Sequence, residues 1–177
     1  MSKAIKTVTI FSCIITIFSM ILFYHFHRDI YLTASITFAT TTYHFGMRLL
    51  IGLIYEIRMK NRADYTKKWY QLHSWERKLY KFCRVKTWKN KLPTYSPENF
   101  SPKYYSWNEI AQAMCQAELV HETIIVFSFL PLFASARFGA FYVFLITSVC
   151  AALFDLMFVM IQRYNRDRVM KILLRKR

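Results

Sequence analysis

Residues 117–122 read AELVHE, and no further charge appears until Arg137. Glu118, His121 and Glu122 thus stand at the entrance of a long apolar stretch. The i,i+3 spacing of Glu118 and His121 puts them on one face of a helix, whereas Glu122 points elsewhere. A neutral imidazole can take the proton of an attacking hydroxyl when a carboxylate such as Glu118 or Asp155 orients it. Arginine or asparagine side chains can then stabilise the oxyanion that develops on an acyl carbonyl. The residues able to supply those roles are Arg48, with His44 one turn away, in one apolar block and Asp155 in another. Just beyond Asp155 follows QRYNRDR, with Gln162, Arg163, Tyr164, Asn165 and Arg166 side by side.

Plainer readings stand beside this one. Arg48 and Asp155 read equally well as an internal ion pair that holds helices together. Glu118 reads as an interfacial acid and His121 as a structural hydrogen-bonding residue. His25 and His27 fall in a short outer loop, and His73 belongs to a surface segment. No HExxH or GxSxG sharpens the set, and one plausible histidine per face gives no metal site. Cys13, Cys83, Cys115 and Cys150 form no CxxC pair, so neither zinc nor a disulfide framework is indicated. With 3 glycines there is no phosphate-cradling loop.

Chemistry spread over separate blocks needs elements to gather it. The chain of 177 residues is 55% hydrophobic with 16 Phe, yet carries a net charge of +15. The two facts agree once the charges are placed, because they lie almost entirely between the apolar blocks. The blocks predict an all-α, polytopic membrane protein forming a single membrane domain. Its spanning helices are expected at 8–26, 30–55, 119–136 and 138–161, each near the roughly 20 residues a crossing needs. The first resembles a secretory signal, but its length and its YHFHR ending read as a retained helix. The second carries Thr33, Thr37, Thr40, Thr41 and Thr42, whose hydroxyls can bond back to the preceding turn.

Basic residues set the orientation. The segment 56–118 holds thirteen Lys or Arg and seven more follow residue 161, while Arg28 and Arg137 alone mark the other two loops. An even number of crossings then puts both termini and the central segment in the cytoplasm of a multi-pass cell-membrane protein. Within that segment Tyr65, Trp69, Leu72, Trp75, Leu79 and Phe82 recur at helical spacing among Lys67, Lys68, Arg77, Lys78 and Lys81. The pattern predicts an amphipathic helix in the interface, tryptophans at headgroup depth and basics toward anionic lipid. Positive-inside charge accounts for the basic, aromatic composition, so no nucleic-acid partner is expected. In this topology Arg48, Glu118, His121 and Asp155 come to one layer near the inner face. Asp155 lies about two turns, or about 10 Å, above the helix exit.

VKTWKNKLP, AELVH and QRYNRDR, in that order, resemble the glycosyl-4,4'-diaponeurosporenoate acyltransferases, small membrane proteins assigned the final step of staphyloxanthin-type carotenoid biosynthesis. The likeness covers roughly residues 75–168. It implies esterification of a primary sugar hydroxyl of a C30 carotenoid by a fatty acyl group. Carried over by position, the family's elements fall on Val85, Lys86, Trp88 and Lys89, on Ala117, Glu118 and His121, and on Gln162, Arg163, Tyr164, Asn165, Arg166 and Arg168. Asp167 stands where the family pattern has proline, and Glu122 where an aromatic often follows the histidine. The expected catalytic set is His121, Glu118 and Asp155. Arg48, Lys86, Trp88, Lys89 and the residues from Gln162 to Arg166 are expected to bind substrate. No bound cofactor is expected. An acyl donor (acyl-CoA or acyl carrier protein), a lipid-linked sugar acceptor, membrane lipids and other biosynthetic membrane enzymes are the expected partners. The alternatives are another lipid-modifying transferase, for methyl or headgroup transfer, and a non-enzymatic lipid-binding membrane protein.

Overall fold

A computed structural model describes residues 2–175, and all of its regular structure is helical. Helices α1 (Ser2–Phe26) and α2 (Asp29–Met59) form an antiparallel hairpin closed by His27 and Arg28. His27 turns the chain with a left-handed φ of 50°. Three stretches are long and apolar enough to cross a membrane: Lys3–Phe26, Trp107–Phe138 and Phe141–Arg175. On α1, Ile10, Phe11, Ile14, Ile17, Phe18 and Ile21 are all exposed, the arrangement of a helix solvated by hydrocarbon rather than by a protein core.

Helix α2 is 31 residues long and carries five threonines. Its threonines behave as their position demands. Thr37, Thr40, Thr41 and Thr42 each donate to the carbonyl four residues earlier, at 2.8–2.9 Å. The hydroxyls are thereby satisfied within the helix itself. At its far end Lys60 and Asn61 adopt left-handed conformations and break the helix. The Asn61 N–H donates to Gln116, whose amide in turn donates to Glu56, tying this end to the next long helix.

That helix, α5 (Trp107–Phe127), opens on a capping box in which the Ser106 hydroxyl and the Glu109 carboxylate satisfy each other's backbone N–H. It ends at Phe127, and a 3-10 turn (Leu130–Ala134) containing Pro131 leads through the short α6 (Ser135–Phe138) to α7. The expected span 119–136 thus begins earlier and ends in two shorter pieces. Helix α7 (Phe141–Arg175) runs 35 residues without a break, about 50 Å. The expected stop near residue 161 is absent because Gln162, Arg163, Arg166 and Val169 are buried along its continuing face. Helices α5 and α7 pack as a second hairpin, with Ile110, Ala111, Met114 and Val169 clustered at the end next to Tyr65 and Phe100. Met47, Ile51 and Ile124 join α2 to α5.

The remaining chain, residues 60–106, forms a cap beside the helix ends. Its elements are a 3-10 turn (Lys68–Tyr70), α3 (Ser74–Phe82), α4 (Val85–Trp88) and a second 3-10 turn (Pro97–Phe100). Here the expectation of one helix through Tyr65, Trp69, Leu72, Trp75, Leu79 and Phe82 is corrected. Only α3 is α-helical, because the carbonyls of Trp69, Tyr70 and Gln71 accept hydrogen bonds from Arg163 and Arg166 of α7 instead of from helical N–H groups. The apolar side of α3 still faces outward, with Trp75, Leu79 and Phe82 exposed alongside Trp69.

Candidate functional site

Two buried polar centres lie between the helices. In the first, α2, α5 and α7 bring Arg48, His121 and Asp155 together. Asp155 is 1% exposed, and each of its oxygens has its own partner. Oδ1 meets His121 Nδ1 at 2.8 Å, while Oδ2 accepts from Arg48 Nη2. Arg48 is fixed further by donating to the carbonyl of His44 at 2.7 Å. The His121 ring stacks on Phe158 at 4.7 Å with 8° between planes. Against a carboxylate oxygen Nδ1 is the ring nitrogen placed to donate, and Nε2 is the one left free. Arg48 and Asp155 are opposite in charge and in direct contact, so each buried charge has its partner. His121 keeps 22% of its side-chain surface and stays reachable.

The second centre takes Glu118 in a different direction. Its side chain is fully buried, with Oε1 accepting from Arg163 Nη1 at 2.5 Å and Oε2 accepting from Arg166 Nη1. Arg163 also pairs with Glu76 of α3, Nε to Oε1 at 2.8 Å. It donates to the carbonyls of Trp69 at 3.1 Å and Gln71 at 3.2 Å. Arg166 donates twice to the Tyr70 carbonyl and lies 5.1 Å from the Tyr70 ring centroid. Two carboxylates and two guanidinium groups make this cluster neutral. Burial alone pushes the Glu76 carboxyl up, but hydrogen bonds from the His73 N–H and Arg163 outweigh it and hold the group below its ordinary value.

The expected single layer of Arg48, Glu118, His121 and Asp155 therefore divides. Three of the four converge, and Glu118 has both oxygens engaged by α7 arginines. Glu122, next to His121, accepts from the Trp69 indole at 3.1 Å. Lower on the cap, Lys89 Nζ donates to Asn165 Oδ1 at 2.7 Å and sits 5.4 Å from the Tyr164 ring centroid. Burial, with Arg168 adding repulsion, lowers the Lys89 pKa. Trp88 donates to the Cys83 carbonyl, Lys86 is exposed, and Gln162 is buried in α7. Among the described residues, no three His, Cys, Asp or Glu side chains gather as a metal site would require. Glu76 is the participant that sequence reasoning passed over. Its signal was present, as the third residue after His73 in a capping box at the start of α3.

A cavity of about 690 Å³ adjoins the first centre between α2 and α7, with Ile5 of α1 at its edge. Its walls include Thr37, Thr41, Phe45, Val143, Phe144 and Phe154, and Arg48 and His44 line it at one end. His121 is not part of the lining and is linked to it through Asp155 and Arg48. His44 is 8% exposed, and neither of its ring nitrogens has a hydrogen-bond partner. A buried polar group left so costs about 1–3 kcal/mol.

These features define a small helical membrane protein with charged, internally neutralised centres and an apolar cavity beside one of them. The chain belongs to the glycosyl-4,4'-diaponeurosporenoate acyltransferase family, whose model matches residues 66–175. The match takes in the cap from residue 66, α5 and α7, hence Glu118, His121, Asp155, Arg163 and Arg166, and leaves α1 and α2 outside it. No curated protein and no solved structure matches the chain.

Proposed function

We propose that the protein is a membrane acyltransferase that moves a fatty acyl group from a thioester donor, on coenzyme A or acyl carrier protein, to a sugar hydroxyl. The acceptor is a glycosylated isoprenoid or another glycolipid. The observation that carries this reading is the His121–Asp155–Arg48 cluster in a chain of this family. His121 Nε2 takes the proton of the acceptor hydroxyl as its oxygen attacks the thioester carbonyl. The C–S bond then breaks, and the proton passes to the departing thiolate, leaving ester and free thiol. Asp155 holds the ring in the working tautomer, and Arg48 holds Asp155 in place. Glu118 acts one step removed, by holding Arg163 and Arg166 and through them the cap. In this reading α2 is a fourth crossing, both termini and the cap face the cytoplasm, and the exposed aromatics of α3 rest at headgroup depth. Lys86, Lys89 and Arg168 supply positive charge for a phosphate-bearing donor.

The test is a comparison by mass of lipid extracts from cells with the gene, without it, and with His121→Ala at equal protein level. An added acyl mass that disappears in both controls is expected. An unchanged product in His121→Ala cells removes the base, and a different mass difference removes the acyl transfer.

A further inference from the structure

The cavity between α2 and α7 has a one-ended polarity. From Thr33 to Arg48 it follows fifteen residues of α2, about 22 Å, or roughly three-quarters of a ~30 Å hydrocarbon core. Along that length the hydroxyls of Thr37, Thr40, Thr41 and Thr147 are spent on carbonyls of their own helices, so the walls present methyl groups and rings. At the remaining end stand Arg48, already held by Asp155, and His44. Of the buried side chains that line the cavity, His44 alone has no partner. The backbone is not what isolates it, since its carbonyl accepts from Arg48 while the ring is left over. An apolar channel with one unspent buried hydrogen-bonding group at its Arg48 end, and only the exposed Thr33 hydroxyl at the other, is complementary to a molecule with one chain and one polar head.

We propose that this cavity is a binding site for a single fatty acyl chain, with the carboxyl-derived oxygen of its head hydrogen-bonded to the His44 ring beside Arg48. The inference deepens the acyltransferase reading and rests on it for the role of the chain as donor; the binding itself is measurable without turnover. The site couples to the first centre in one step. Arg48 touches both the head position and Asp155, and Asp155 holds His121, so a bound head can be sensed at the base through one shared carboxylate. Both α2 residues lie outside the region matched by the family, so the site joins the α1–α2 hairpin to the matched core.

The probe is palmitic acid carrying a photoreactive diazirine on its chain, added to the purified full-length protein in phospholipid nanodiscs. The expected result is saturable labelling of peptides from α2 and α7 that excess palmitate or palmitoyl-CoA displaces. His44→Phe removes the hydrogen bond while keeping the volume and is expected to weaken labelling about tenfold, the loss of one such bond. It is also expected to leave the thermal stability of the unliganded protein unchanged or higher, because an unsatisfied buried imidazole has been removed. Thr147→Trp fills the channel and is expected to abolish labelling. Unsaturable labelling spread over the lipid-facing residues of α1, or full labelling of His44→Phe, overturns the proposal, as does a fall in unliganded stability in that variant. Saturable labelling in a protein that forms no acylated lipid would leave the site standing and dismiss the transferase. The reverse pattern, product formation without saturable labelling, would do the opposite.

Discussion

Replacing Glu118 by glutamine tests the division of labour between the two centres. The substitution keeps the shape of the side chain and removes one buried negative charge. The cluster then changes from two carboxylates and two guanidinium groups to one and two, a net buried charge of +1. Arg163 retains Glu76 and two carbonyls, but Arg166 loses its carboxylate partner and keeps the Tyr70 carbonyl and ring. Breaking a buried pair in this way costs about 3–5 kcal/mol. For a chain of this size that corresponds to a fall in melting temperature on the order of 10 °C. Trp69, Trp75, Trp88 and Trp107 all lie in the cap or at its junction with α5, so tryptophan fluorescence during heating in detergent reports its release. Glu118→Gln combined with Arg166→Gln restores neutrality, and the pair is expected to recover roughly 0.5–3 kcal/mol relative to the sum of the single changes. A Glu118→Gln protein that melts with the wild type yet makes no acylated lipid would refute the reasoning, since Glu118 would then serve chemistry rather than the clasp.

Other outcomes follow from the same geometry. Asp155→Asn is expected to lower the rate of product formation by about 10²–10⁴ through loss of the working His121 tautomer, as initial rates with a thioester donor will read. Arg48→Met leaves Asp155 buried without its cation and is expected to lower thermal stability by about 3–5 kcal/mol as well as activity. The Glu76 carboxyl is held below its ordinary 4.5, so its contribution to the cap is complete above that value and is lost as pH falls through the lower folded value. Fluorescence-detected melting in increasingly acidic buffer is expected to drop there, and Glu76→Gln is expected to flatten that drop. Trp75→Ala and Phe82→Ser alter exposed residues and are expected to leave melting within about 0.5 kcal/mol of the wild type. They are expected to reduce quenching of cap fluorescence by lipids brominated near the headgroup.

The long apolar blocks made the helices legible from the letters, and the threonines of α2 sat as their composition implied. So did the meeting of Arg48 with Asp155, because both stand at similar depth in blocks of known polarity. What could not be read was which carboxylate serves which cation. Glu118 and His121 share a helix face, but the choice between Asp155 and the arginines depends on how far α7 continues. Its continuation beyond residue 161 comes from burial against the cap, a contact with no local signature. The cap misled for a related reason. Spacing in 65–82 has helical period, yet the main chain at 69–71 is drawn off by two arginines ninety or more residues away. His44 was visible as a histidine in an apolar block, but only the surrounding helices show that its ring has no partner.

The arginine clasp has an evolutionary consequence. Because Arg163 and Arg166 grip oxygens that every amino acid possesses, the identities of residues 69 and 71 are largely invisible to them. Sequence drift at those two positions leaves the arginine grip in place and removes only their own side-chain bonds, Trp69 to Glu122 and Gln71 to the Thr66 carbonyl, whereas a change at either arginine, or at Glu118, meets resistance from several contacts at once. Relatives of this chain should therefore vary more along the grasped strip than at the hand that grasps it.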